Sequence, residues 1–240
     1  MKTNLSCKDI KKFDIFSMLT NEGCKKIIDY AYIRSYRKGQ MLFTEGDPRE
    51  RLYFLLDGYI RLERIDIEGD VHPFNYVKPF QMFPEGGLFQ DTNYAHSAVA
   101  VTNVNIFYIP AEILESLIKL NSKQMIQVIR HLSSLLIAQE LRLQSLQNLD
   151  ACRRVEQTIA HLGSHLGQET ADGILIPCPF TMNDLANFSG TSRETVCHSI
   201  NGLKAQKVIS IHSKLITIHR PDYFTGKESD TSEFLLSSFS

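Results

Sequence analysis

At Pro110 the hydrophobic period of this chain changes, and that change constrains its fold more than any other feature. From about Ile33 to Ile109 the sequence runs in short apolar–polar stretches, among them Leu52–Leu56, Tyr59–Glu63 and Asn105–Ile109. Between them lie Glu45-Gly46-Asp47-Pro48, Asp57-Gly58 and Glu68-Gly69-Asp70, residues that favour turns. Several short strands at close spacing predict an all-β barrel or roll. Pro110 suits the first turn of a helix, and Ile113, Leu114, Leu117 and Ile118 then recur at three and four residues.

A second helical run extends from about Lys123 to Leu149. Met125, Val128, Leu132, Leu135, Gln139, Arg142, Leu146 and Leu149 follow one another at alternating steps of three and four. Six of these eight positions are apolar, which makes a heptad seam and predicts a dimerisation helix. The alternative is that the helix packs on the β-roll, which usually takes a broader stripe. Asp150 can cap a further helix through Val155, Ile159 and Leu162, with Gly163 and Gly167 loosening its end. Glu169 to Gly173 is a turn-rich connector.

Composition narrows the function classes. With 240 residues and 43% hydrophobic content the chain can bury real cores, and two domains suit its length. No apolar stretch approaches the roughly 18 residues of a membrane span, and the first residues lack a secretory apolar core. The five cysteines, at 7, 24, 152, 178 and 197, form no CxxC pair, which fits free thiols in a reducing cytoplasm. No Gly-rich phosphate loop, metal-ligand cluster or nucleophile motif is present, so no enzymatic activity is expected. The formal net charge of −1 argues against indiscriminate coating of nucleic acid.

The segment from Phe180 carries the functional signal. Thr181 and Asp184 resemble a capping box that opens a short helix with Leu185, Ala186 and Phe188 inward. Ser189-Gly190-Thr191 makes a tight turn, Ser192 caps the next helix, and Val196, Ile200 and Leu203 form its buried stripe. Two short helices across a glycine turn are a helix-turn-helix. The alternating runs Val208–Ile211 and Leu215–Ile218 add a hairpin, so the unit reads as a winged helix.

Arg193, Glu194, Thr195 and His198 sit where a recognition helix meets base edges in the major groove. Arginine suits the two acceptors of guanine, and glutamate can accept from the cytosine amino group. Ser192, Thr195, Ser199 and Lys214 suit phosphate contacts, and Thr181 at the helix entrance joins the candidate DNA-contacting set. The expected organisation is a β-roll over 1–119, a dimer helix over 120–149, a winged helix-turn-helix over 150–225 and a tail over 226–240.

These residues resemble the Crp/Fnr family of bacterial transcription regulators, most diagnostically through Ser192-Arg193-Glu194-Thr195-Val196. The likeness runs from about Phe13 to Phe224. Gly39-x-x-Leu42-Phe43-x-Glu45-Gly46-Asp47 and the later Tyr53-Phe54-Leu55-x-x-Gly58-x-Ile60-Arg61-Leu62 are similar to the core pattern of the cyclic-nucleotide-binding fold. Within the family the chain resembles a Gram-positive branch that holds the arginine-deiminase-pathway regulator and the listerial virulence activator. Met82-Phe83-Pro84, the string from Ser192 through His198 to Ile200, and Gly167-x-Glu169-Thr170-x-Asp172-Gly173-Ile174 carry that part. The resemblance implies an α+β chain: an N-terminal cyclic-nucleotide-binding-like β-roll, a long dimer helix and a C-terminal winged helix-turn-helix.

It also implies an effector region of Glu85, Gly86, Gly87, Leu88, His96 and Ser97, with Gln139 and Glu140 facing it from the dimer helix. Glu85 stands where the family places a ribose partner, but His96 replaces the arginine that holds a cyclic phosphate. A neutral imidazole offers neither the charge nor the planar fork of arginine. That loss weakens a buried phosphate by roughly 1.5–3 kcal/mol, so cAMP is not the expected ligand and any other effector is unassigned. His198 likewise replaces a second arginine on the recognition helix, which relaxes the flanking base position.

The expected function is a homodimeric cytoplasmic regulator that reads an inverted-repeat, TGTGA-like site on double-stranded DNA and contacts RNA polymerase if it activates. The alternatives are a signalling module acting through protein contacts and a constitutive DNA binder with a vestigial effector pocket. From Ala151 to Thr225 seven Lys/Arg stand against six Asp/Glu, so even the DNA-reading part is barely basic. That balance predicts modest non-specific affinity and reliance on base readout by a dimer.

Overall fold

The computed structural model describes residues 5–90, 92–146 and 150–225, with the backbone alone over 141–146 and at 225. Two compact units divide the chain, Met1–Gln144 and Ser145–Ser240.

The first unit opens with α1 (Cys7–Ile10), a 3-10 turn at Asp14–Phe16 and α2 (Asn21–Asp29). Eight strands follow: β1 (Tyr32–Tyr36), β2 (Met41–Phe43), β3 (Arg51–Asp57), β4 (Ile60–Ile65), β5 (Val71–Val77), β6 (Met82–Phe83), β7 (Ser97–Ala100) and β8 (Val104–Pro110). They form two antiparallel sheets, ordered β1-β8-β3-β6 and β2-β7-β4-β5. The chain then turns helical, as the change at Pro110 requires, into α3 (Ala111–Lys119) and α4 (Ser122–Leu146).

Strand β3 explains why an unbroken apolar run makes a good strand here. Tyr53 and Leu55 point into a core with Ile60, Ala98 and Ile106. Leu52 and Phe54 point into a second core roofed by α1, the 3-10 turn and α3, where Phe54 stacks on Phe107 with ring centroids 4.6 Å apart. Both faces are buried, so no polar residue alternates in. Gly58, at φ +87°, turns β3 into β4, and a Cβ there would lie 2.4 Å from the Asn103 carbonyl oxygen. Only glycine fits that turn.

In α4 the structure departs from the expected seam. Val128 is buried in the helix's own β-roll core, and Met125 and Leu132 pack against it. Leu135 and Gln139 are also partly covered, while Arg142, Leu146 and Leu149 lie outside the residues whose side chains are described. The apolar residues left open are Ile126, Ile129, Leu136 and Ile137, between 51% and 60% exposed. A helix this apolar on two adjacent stripes can face its own sheet with one and present the other.

The second unit comprises α5 (Ala151–Leu166), β9 (Gln168–Thr170), β10 (Gly173–Ile176), α6 (Met182–Ser189), α7 (Arg193–Ala205), β11 (Ile209–His212), β12 (Leu215–Ile218) and α8 (Asp222–Thr225). Asp150 caps α5 by accepting from the Arg153 amide at 2.9 Å. The segment read as a connector is the hairpin β9–β10. It joins the wing as a four-stranded sheet ordered β11-β12-β10-β9, with Ile174 opposite Ile218. Gly163 does not loosen α5: the helix continues to Leu166, and a Cβ at Gly163 would stand 2.6 Å from Ile218 Cδ1. The glycine lets helix and sheet approach closely. No described helix is long and apolar enough to cross a membrane.

Candidate nucleic-acid interface and effector region

Local hydrogen bonds build the helix-turn-helix. Thr181 Oγ1 accepts from the Asp184 amide at 3.1 Å, and the Asp184 carboxylate accepts from the Thr181 amide at 2.8 Å and its hydroxyl at 2.6 Å. This reciprocal box starts α6. Gly190 ends it in the left-handed region at φ +60°. Arg154 of α5 donates to the carbonyl oxygens of Ser189 and Gly190 at 3.3 and 3.2 Å, setting a cation at the C-terminal end of α6. Nothing in the spacing of residues singles out Arg154 for this role, because its partners are 35 and 36 residues away.

Helix α7 starts at Ser192, whose Oγ accepts from the Thr195 amide at 3.2 Å. Val196, Ile200 and Leu203 are buried, and Arg193, Glu194 and His198 are exposed on the first turns. A hydrogen bond from its own backbone amide, with help from the Ser192 hydroxyl, holds the Glu194 carboxyl below the usual carboxylate range. Glu194 is therefore an anion at neutral pH, ready to accept. Thr195 is half-buried, and Lys214 is exposed at the tip of the β11–β12 hairpin at φ +69°.

Ser199 behaves differently from its expected part in phosphate binding. It is 8% exposed, and its hydroxyl donates to the Cys152 carbonyl oxygen of α5 at 3.3 Å. It faces the interior because it lies three and four positions from Val196 and Leu203 on the inward stripe. Thr181, likewise, spends its hydroxyl on the capping box.

The residues expected to form an effector region fall into two groups with no described hydrogen bond between them. Glu85 accepts from His131 Nε2 of α4 at 3.1 Å, with side-chain exposures of 19% and 18%. That bond raises the histidine pKa above its ordinary 6.5. Gly86 and Gly87 form the following loop, and Leu88 packs against the helix-roofed core. In the second group Ser97 Oγ accepts from the Glu45 amide at 2.9 Å, and His96 stacks on Phe74 with centroids 5.1 Å apart. Burial first, then the nearby Arg64, pushes the His96 pKa down, so the ring is neutral where a cyclic phosphate would need a cation. Gln139 and Glu140 sit two turns beyond His131 on α4, half-buried and exposed respectively. His131 was not legible in the sequence, since its partner is 46 residues away.

Comparisons with known proteins bear on both units. Residues 33–121 match the family model of the cyclic nucleotide-binding domain, and residues 153–225 match that of the Crp-like helix-turn-helix domain. The chain is 30% identical over 191 residues to the global nitrogen regulator of a Nostoc species, covering 79% of this chain and 86% of that protein. It is 29% identical over 184 residues to the HTH-type transcriptional regulator ArcR of Staphylococcus epidermidis, covering 76% and 80% of the two chains. Among solved structures, FixK2 of Bradyrhizobium japonicum shares the fold with a TM-score of 0.71 at 19% identity, over 82% of this chain and 96% of that one. A CRP/FNR-family regulator of Thermus thermophilus matches with a TM-score of 0.64 at 24% identity, over 81% and 97% of the chains.

Proposed function

This chain belongs to the Crp/Fnr family of DNA-binding transcription regulators, and on that premise we propose that it acts as a cytoplasmic homodimer on an inverted-repeat, TGTGA-like site. The observation that carries the reading is the first turn of α7, where Arg193 and ionised Glu194 stand exposed beside His198. Arg193 would take the guanine acceptors and Glu194 the cytosine amino group. Ser192, Thr195 and Lys214 would contact phosphates, with Thr181 and Ser199 holding the scaffold. The functional division is the β-roll over 1–119, the dimer helix over 120–149, the DNA-reading unit over 150–225 and a tail over 226–240. Two copies would meet along the open stripe of Ile126, Ile129, Leu136 and Ile137, and the half-sites would lie one helical turn, about 10–10.5 base pairs, apart. An activating role would bring contact with RNA polymerase.

A mobility-shift titration with a palindromic TGTGA duplex tests the reading. Arg193→Ala should cost on the order of 1–3 kcal/mol and relax discrimination at one base position. Equal affinity of the wild type for this duplex and a scrambled one, at about 0.1 M salt, would refute it.

One observation favours action without a cyclic nucleotide. Glu85, the family's ribose partner, is already joined to α4 through His131, and His96 is neutral. That pair joins the loop around Glu85 to α4. A melting temperature that cAMP raises by several degrees would overturn this part.

A further inference from the structure

The near-balanced charge of the DNA-reading unit conceals where its cations stand. Between the C-terminal end of α7 and β11 lies an open cleft of about 580 Å³. The titratable side chains in its wall are Lys204, Lys207, His212 and His219, with no carboxylate among them. His219 is already engaged, with the Asp172 carbonyl oxygen at 2.8 Å and the Ser210 hydroxyl at 2.9 Å. Lys204 and Lys207 are exposed, and neither has an ion-pair partner among the described residues; Arg220 pairs with Asp222 instead. The end of α7 adds little negative charge to the cleft. The carbonyl oxygens of Gly202, Leu203 and Lys204 accept from the amides of Gln206, Val208 and Lys207.

Two further observations point to DNA. Lys204 lies eleven residues beyond Arg193 on α7, three turns to within about 20°, so both project from one side of the helix. Their separation along the axis is about 16 Å, more than the roughly 12 Å width of the major groove. With Arg193 at base edges, Lys204 stands past the rim of the groove, beside a sugar–phosphate strand. Lys207 holds φ +55°, a left-handed conformation that glycine or asparagine adopts at lower cost. A lysine in such a position points to a use for its side chain.

We infer that this cleft seats a backbone phosphate of the bound DNA between Lys204 and Lys207, outside the bases that α7 reads. The inference rests on base reading by Arg193 and adds contacts that carry no sequence information of their own. An acidic protein segment would also suit two lysines, but the side shared with Arg193 favours DNA.

The test is a mobility-shift titration of the full-length protein with the palindromic TGTGA duplex and a scrambled one, each from about 0.05 to 0.2 M salt. Lys204→Gln should weaken binding to both duplexes by the same several-fold factor. It should also lower the slope of log affinity against log salt by about 0.9, the share of one phosphate. Lys204→Arg should keep the wild-type slope. Lys207→Asn should lower the slope equally while its melting temperature equals or exceeds the wild type's, because asparagine suits the left-handed turn. A lowered melting temperature with an unchanged slope would give Lys207 a structural role only and overturn its part. Wild-type affinity and slope in the double variant of Lys204→Gln with Lys207→Asn would overturn the whole inference while leaving base reading intact. Equal wild-type affinity for the two duplexes, with the slope still lowered by each variant, would refute the base reading and uphold the phosphate seat.

Discussion

Replacing His131 by leucine should change the stability of the first unit by an amount that depends on pH. His131 and Glu85 meet at 3.1 Å with less than a fifth of either side chain exposed, so solvent screens the pair little. When the ring is charged, the bond is charge-assisted and contributes about 1.5–3 kcal/mol; when neutral, about 0.5–1.5 kcal/mol. The histidine pKa is raised on folding, first by the hydrogen bond that the ring donates to Glu85. The extra stability is therefore complete below the ordinary value of 6.5 and is lost as pH rises through the raised one. His131→Leu should cost about 1–1.5 kcal/mol more at pH 6 than at pH 9. A double-mutant cycle with Glu85→Gln isolates the pair from whatever else each change does. Tyrosine fluorescence in urea suits the measurement, because the chain has no tryptophan and eight of its nine tyrosines lie in the first unit. A coupling energy equal at pH 6 and pH 9 would refute the reasoning.

Further outcomes follow from the packing. Gly167→Ala sets a Cβ 2.1 Å from the Gly163 carbonyl oxygen and 2.4 Å from Ile174 Cγ2, so it should cost on the order of 1–3 kcal/mol in denaturation. Ser199→Ala should leave affinity for the palindromic duplex within about twofold, since its hydroxyl serves Cys152 rather than phosphate; a tenfold loss would restore Ser199 to the interface. Leu136→Glu should yield folded monomers in sedimentation, while Val128→Glu, at a residue 1% exposed, should unfold the first unit. An unchanged dimer in Leu136→Glu would move the self-association surface elsewhere.

Local signals are legible where neighbours in sequence are also partners in space. The caps at Asp150, Thr181 and Ser192 each reach three residues along the chain, and Gly190 supplies the left-handed turn that its position demands. The change of period at Pro110 separates strands from helices for the same reason: side-chain direction repeats with the backbone. The exposed first turn of α7, with Arg193 and Glu194, was legible because it combines a cap, an inward stripe and a polar face in one short string.

The order of elements, the helix-turn-helix and the family likeness are thus written in the residue pattern alone. Tertiary structure alone decided which stripe of α4 the β-roll covers, since Val128 and Ile129 are neighbours of similar hydrophobicity and differ only in what they face. It also recruited β9–β10 to the wing by pairing Ile174 with Ile218, turned Gly163 into a contact with Ile218, and turned Ser199 inward. The Glu85–His131 bond belongs to the same class. Each depends on the approach of surfaces distant in the chain, and a one-dimensional pattern carries no record of that distance.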